Sequence, residues 1–249
     1  MSTIITITSG KGGVGKTTTA INLGTALNQF GKDVIIVDAN LTTPNVGLHL
    51  GAPLVPVTLN HVLLGKAKIE DALYEHESGT KVLPSSLSVK DLKALDHKKL
   101  IGLSKKLKKM ADYIIYDSAA GLGDEASASL EAADDIVIVT NPEIPAVTDA
   151  LKTARLADEL GKHVKGIIVT RANRTKSEMT LESIQDMLEL PILGVIPEDI
   201  AASEALVKKD ALIHTHPKSK AARAYKKAAA GLSGVKYADD RNFWEKLFG

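Results

Sequence analysis

Residues 10–17 read GKGGVGKT and directly follow a strand-like run, TIITITS at 3–9. The pattern G-x-x-x-x-G-K-[ST] on a strand-to-helix turn is a phosphate-binding loop. Gly10, Gly12, Gly13 and Gly15 carry no Cβ, so the backbone around Val14 is free to curl with its N–H groups pointing at phosphate oxygens. Lys16 supplies a point charge for the β- and γ-phosphates, and Thr17 a hydroxyl for a magnesium ion, with Thr18 next in the loop. The following stretch, TTTAINLGTALNQFG, predicts an amphipathic helix over about 16–30, ended by Gly31, whose positive end adds to anion binding. The expected ligand is Mg-ATP.

A chain that begins in this way needs a sheet behind the loop, and the rest of the sequence supplies one. Apolar runs at 3–8, 33–38, 80–84, 112–117, 134–139, 164–170 and 191–196 read as strands. Four of them (DVIIVDA, DYIIYDS, DDIVIVT and VKGIIVT) are nearly continuous, as befits parallel strands covered on both faces. Helical stretches lie at about 97–109, 145–160, 177–188 and 217–231. The predicted fold is α/β, a doubly wound and mostly parallel sheet with helices on both faces. In such a sheet the chemistry gathers at the carboxyl ends of strands, here Ser9, Asp38, Asp117, Thr140, Arg171 and Pro197.

Composition removes several classes of function. The 249 residues contain no cysteine, which excludes disulfides, zinc thiolate sites and thiolate-held iron–sulfur clusters. A net charge of +1 offers no global field for nucleic acid, and none is expected as a partner. No apolar run approaches the roughly 20 residues of a membrane span, and no leader is visible before the first strand, so a cytoplasmic protein is expected. The seven histidines show no metalloprotease spacing; His214-Thr215-His216 reads as a surface loop before it reads as a metal site.

The loop carries a second lysine, Lys11, and the whole string KGGVGKTT resembles the deviant Walker A ATPases, the MinD/ParA family. In that family the early lysine reaches across a dimer interface to the partner's ATP, so the resemblance implies an ATP-sandwich homodimer. Lacking cysteine, the chain does not fit the branches that carry iron–sulfur clusters. DSAAGLG at 117–123 is similar to the family's switch segment DSPAG, with Ala119 in place of proline, which makes Asp117 the Walker B carboxylate beside Thr17. VDAN at 37–40 stands where relatives read VDxD. Asp38 then belongs to the magnesium shell, and Asn40 replaces the acid that orients the attacking water. An amide orients water through its carbonyl but takes up no proton, so slow hydrolysis and a long-lived ATP state are expected. TNPE at 140–143 also resembles the family, TRAN with Asn173 resembles its adenine-reading segment, and IPED with Pro197, Glu198 and Asp199 the segment closing over the base. The implied catalytic set is Lys11, Lys16, Asp38 and Asn40, and the implied metal set Thr17, Asp38 and Asp117.

The chain closes with a further signal. After a Lys- and Ala-rich helix ending at Gly231 come a linker at 232–239 and a terminal segment at 240–249. Phe243, Trp244, Leu247 and Phe248 would share one helical face there, an arrangement similar to the membrane-targeting helix of MinD proteins. Burying four such side chains yields roughly 6–12 kcal/mol at most. Ordering about ten residues costs roughly 1–2 kcal/mol each, so one copy is marginal and two on a dimer hold by avidity. From Asp239 onward three acids face two bases, leaving the apolar face to do most of the binding. The resemblance thus implies a domain at 1–231 that would bind ATP, dimerise with it, dock through 240–249 at the inner face of the cell membrane, and position or recruit a protein activator or cargo of the division, polar or motility machinery. The competing expectations are a nearly non-hydrolysing nucleotide-gated scaffold and a ParA-like DNA partition ATPase.

Overall fold

In the computed structural model, residues 2–52, 54–88, 96–173, 175 and 177–238 are described. Within them lie strands β1 (Thr3–Ser9), β2 (Val34–Ala39), β3 (Tyr74–Glu75), β4 (Lys81–Leu83), β5 (Tyr113–Ala120), β6 (Asp135–Thr140), β7 (Val164–Ala172) and β8 (Ile192–Pro197). They form one sheet in the order β3-β4-β2-β5-β1-β6-β7-β8. Every pairing is parallel except β3 with β4, a two-residue antiparallel edge. The doubly wound, mostly parallel α/β fold expected from the apolar runs is therefore present. The short β3 is an addition: two residues carry no readable period.

The helices are α1 (Lys16–Gln29), α2 (Val46–His49), α3 (Leu59–Leu63), α4 (Ile69–Ala72), α5 (Lys99–Leu107), α6 (Asp124–Ala132), α7 (Ile144–Glu159), α8 (Leu181–Leu188), α9 (Ile200–Val207), α10 (Leu212–Thr215) and α11 (Lys220–Ser233). The alternation of side chains along each strand splits the apolar runs between two layers. Ile5, Ile7, Ile36, Ile115 and Ile168 pack with α1, α9, α10 and α11 on one face. On the other, Ile4, Ile35, Val37 and Ile114 pack with α3, α4 and α5, while Ile138 and Ile167 pack with α7 and α8. Each fully buried Ile, Leu or Val contributes about 1.5–3 kcal/mol, and the central strands β1, β2, β5 and β6 are buried on both faces along most of their length.

Some boundaries differ from the sequence reading for local reasons. The expected helix at 177–188 begins at Leu181, because Thr180 accepts a hydrogen bond from the Ser183 N–H and caps it. Likewise Ser219 accepts from the Ala222 N–H and starts α11 three residues later than expected. That helix does not stop at Gly231. It continues two residues into the stretch read as linker and ends at Gly234, whose φ of 70° closes it. A glycine inside a helix costs about 1 kcal/mol, and buried Leu232 plus the Ser233 hydroxyl on the Ala229 carbonyl, 2.8 Å, offset it. Beyond it, Tyr237 stacks obliquely on Phe30 at a centroid distance of 6.0 Å. His214 lies on α10 against Asp210 at 2.5 Å rather than in a loop. Among the described residues no helix is long and apolar enough to cross a membrane. Phe243, Trp244, Leu247 and Phe248 lie outside the described residues.

Candidate nucleotide site

The central strand β1 runs between β5 and β6 and delivers residues 10–15 to the carboxyl edge of the sheet, where the strand order reverses. The loop is tied down on three sides. A Cβ on Gly10 would meet the Asp149 carbonyl oxygen at 2.1 Å, so only glycine lets the loop lie against α7. The Ser9 hydroxyl donates to the Lys11 carbonyl at 2.9 Å, and the Thr170 hydroxyl, from β7, donates to the Val14 carbonyl at 2.6 Å. Gly13 and Gly15 have φ of 80° and 88°, left-handed values that favour glycine. Gly15 is also the N-cap of α1, which has no side-chain cap. The orphan amides of the first turn are thus left for an anion.

Lys16 and Asp117 meet inside this cradle. The Lys16 ammonium is 3.4 Å from Asp117 Oδ1, and the Thr17 hydroxyl donates to Asp117 Oδ2 at 2.6 Å. Asp117 does not end its strand: β5 continues to Ala120, with Asp117 and Ser118 buried. Parallel pairing sets Asp38 directly beside Asp117. Asp38 is fully buried; its Oδ2 accepts from the Val46 N–H at 2.9 Å, while Oδ1 has no hydrogen-bond partner. Burial first, and the Asp117 charge second, push the Asp38 carboxyl well above the usual carboxylate range. A buried carboxylate pair with one orphan oxygen beside a threonine hydroxyl fits a divalent cation. No cluster of three or more His, Cys, Asp or Glu that could hold a metal exists among the described residues. Magnesium in phosphate sites takes one or two carboxylates and completes its shell with water and phosphate, so this is no conflict.

Two adjoining cavities extend from the loop. The larger, about 610 Å³, is lined by the phosphate-binding loop from Gly12 to Thr18, the 40–45 segment and Glu125. The smaller, about 170 Å³, is walled by Ile196, Pro197, Glu198 and Asp199, with Tyr225 and Asn22. Gly15, Thr18, His49, Arg171 and Leu206 line both and mark the passage between the two, which on the expectation of ATP are a phosphate compartment and a base compartment.

The residues singled out in the sequence land unequally. Asn40 lines the phosphate compartment, but its amide is turned into its own loop. Its Nδ2 donates to the Thr43 carbonyl at 2.7 Å, and its Oδ1 accepts from the Thr43 N–H at 3.2 Å and hydroxyl at 3.1 Å. The side chain of Lys11 is 47% exposed, with only Glu143 at 3.8 Å. Pro197 and Glu198 wall the base compartment, and Glu198 lies 3.9 Å from Arg171. Asp199 has a structural task as well, its two oxygens accepting from the Ala201 N–H at 3.1 Å and the Ala221 N–H at 3.0 Å, and so pinning α9 to α11. Asn173 is exposed, stands outside the lining of the base compartment, and its N–H donates to Glu178 at 3.1 Å. Arg171, with an αL φ of 52°, occupies the wall instead.

Glu125, Thr42, His49 and Tyr225 were not singled out from sequence. Glu125 opens α6, whose Ala- and Ser-rich sequence was not read as a helix; the acidic pair at 124–125 behind Gly123 was the available signal. His49 has a lowered pKa, chiefly from burial. The Tyr225 hydroxyl, pushed up to about 12 by burial, sits 3.2 Å from the Thr19 hydroxyl.

Known proteins resemble this chain over nearly its whole length. The CobQ/CobB/MinD/ParA nucleotide binding domain family matches residues 5–213. An uncharacterized ATP-binding protein of Methanocaldococcus jannaschii is 39% identical over 237 residues, covering 95% of this chain and 90% of that protein. The septum site-determining protein MinD of Pyrococcus horikoshii, complexed with Mg-ADP, is similar at a TM-score of 0.90 and 37% identity, covering 96% of this chain and 100% of that one. A chain of the MinC:MinD cell division protein complex of Aquifex aeolicus is similar at a TM-score of 0.86 and 30% identity, covering 96% and 99%.

Proposed function

The chain belongs to the CobQ/CobB/MinD/ParA family of P-loop ATPases, and from that premise we propose that it is a MinD-like, ATP-gated membrane switch. It binds Mg-ATP, pairs with a second copy, docks on the inner face of the membrane through 240–249, and positions or recruits division, polar or motility machinery. The observation that carries the ATP part is the Lys16–Asp117–Thr17 cluster beneath an uncapped helix N-terminus, with the Asp38 orphan oxygen alongside.

The roles follow from position. Lys16 and the loop amides hold the β- and γ-phosphates. Thr17, Asp117 and Asp38 hold magnesium, which when bound neutralises charge developing on the phosphate oxygens. Lys11, exposed and loosely paired, is free to swing to the partner's nucleotide. Base compartment residues Pro197 and Glu198 close over adenine. A protein partner, activator or cargo, would read the ATP dimer.

Liposome co-sedimentation tests the whole reading, with ATP, with ADP, and with the chain truncated after Asp239, phosphate release being followed in the same tubes. Pelleting only with ATP and an intact tail is the expected result. No pelleting under any nucleotide would overturn the membrane step, and pelleting with DNA instead would favour a partition ATPase. A second reading is favoured by Asn40: a nucleotide-gated scaffold with almost no turnover, distinguished by ATP-dependent pelleting without phosphate release.

A further inference from the structure

Asn40 lines the phosphate compartment as an amide, and the same compartment also holds a carboxylate. Among the described residues that line it, Glu125 is the one carboxylate; Asp38 and Asp117 are buried beneath it and fully enclosed. Glu125 sits in the first turn of α6, whose dipole favours a negative charge there. It is clamped to the loop that carries Asn40: Oε1 accepts from the Thr42 N–H at 3.0 Å and Oε2 from the Thr42 hydroxyl at 2.7 Å. A carboxylate has about four lone-pair sites, and these bonds use two, so acceptor capacity remains on both oxygens. The clamp joins the two segments that flank the phosphates, 40–45 and 117–125. It thereby holds a carboxylate against Thr42, two residues along the loop from Asn40.

The geometry points to Glu125 as the general base of ATP hydrolysis in this chain. The inference rests on the ATPase reading above. In the step assigned to it, the water oxygen bonds to the γ-phosphorus and the bond from that phosphorus to the β–γ bridging oxygen breaks. The water proton passes to the Glu125 carboxylate and on to solvent, and ADP and inorganic phosphate leave. Lys16, His49 and Arg171 are the other titratable groups lining the same compartment, and none of them is a carboxylate.

The test is steady-state phosphate release with saturating Mg-ATP, alongside binding of a fluorescent ATP analogue, for the parent, Glu125→Gln, Glu125→Asp, Thr42→Val and the double variant Glu125→Gln/Asn40→Asp. Glu125→Gln is expected to lose roughly 100-fold in rate with affinity kept, Glu125→Asp to keep an intermediate rate, and Asn40→Asp to restore turnover to the Gln variant. Thr42→Val keeps the carboxylate and loses the clamp, so its loss should be smaller. A Gln variant that hydrolyses at the parent rate overturns the assignment and leaves the ATPase reading intact. So does a Thr42→Val loss equal to that of Gln with no recovery in Glu125→Asp, which would make Glu125 a brace only. A parent that binds ATP but releases no more phosphate than Lys16→Ala overturns both. Should Glu125→Gln lose ATP binding, Glu125→Asp decides: a lowered rate at unchanged affinity supports the base, an unchanged rate overturns it.

Discussion

At the scale of single residues, the site stores an electrostatic cost that a bound cation would relieve. Asp38 is buried beside Asp117 with one oxygen unpaired, and its folded-state pKa lies above that of the unfolded chain. The native state therefore keeps a proton that the unfolded chain has already released, and stability falls as pH rises between the two values. With EDTA and no nucleotide, Asp38→Asn is expected to stabilise the protein by about 1 kcal/mol or more, roughly 2–4 °C in a melting scan. The same variant should weaken magnesium-dependent nucleotide binding; a lowered melting temperature without metal would refute the account. Asn40 carries the second prediction. Its amide is spent on Thr43, and Asn40→Asp should raise phosphate release by at least about tenfold, an unchanged rate removing Asn40 as the cause of any slowness. The glycines, lysines and Asp117 of this site were legible in the sequence because motif spacing encodes them. Glu125 and His49 were not, because they come to the site from helices that were too short or too Ala-rich to be read.

At the scale of elements, the phosphate-binding loop is shaped as much by its neighbours as by its own glycines. Gly10 lies under α7 with no room for a methyl group. Gly10→Ala should therefore cost about 1–3 kcal/mol by overpacking and displace the loop, seen as a lowered melting temperature together with lost ATP binding. An unchanged protein would mean that α7 gives way freely. The long strands were legible as nearly continuous apolar runs, and α1 because it opens directly on the phosphate-binding loop and is followed by Gly31. The helix at 124–132 was not, since ASASLEA buries small residues that carry little hydrophobic contrast. Gly231 misled for the opposite reason: it looks like a terminator, but Leu232 is buried beyond it, and packing outweighs about 1 kcal/mol of propensity.

At the scale of the whole molecule, the proposed switch needs two copies, and Lys11 is the residue that would link them. Lys11→Ala is expected to keep ATP binding by one chain while abolishing ATP-dependent dimers in light scattering and, with them, pelleting with liposomes. A Lys11→Ala dimer as stable as the parent's would remove that role. The sequence by itself determined the sheet, the phosphate-binding loop at its centre and the family, because apolar periodicity and motif spacing are local and survive in a linear string. Only the tertiary structure decided that Asp38 and Asp117 stand side by side, that Asp199 pins two helices, that Asn40 bonds its own loop and that Glu125 is the carboxylate lining the cavity at the phosphate-binding loop. The first and the last of these depend on strand order and on crossovers that bring together residues about eighty positions apart. No local pattern records them, because the free energy that selects them comes from burial across the whole sheet.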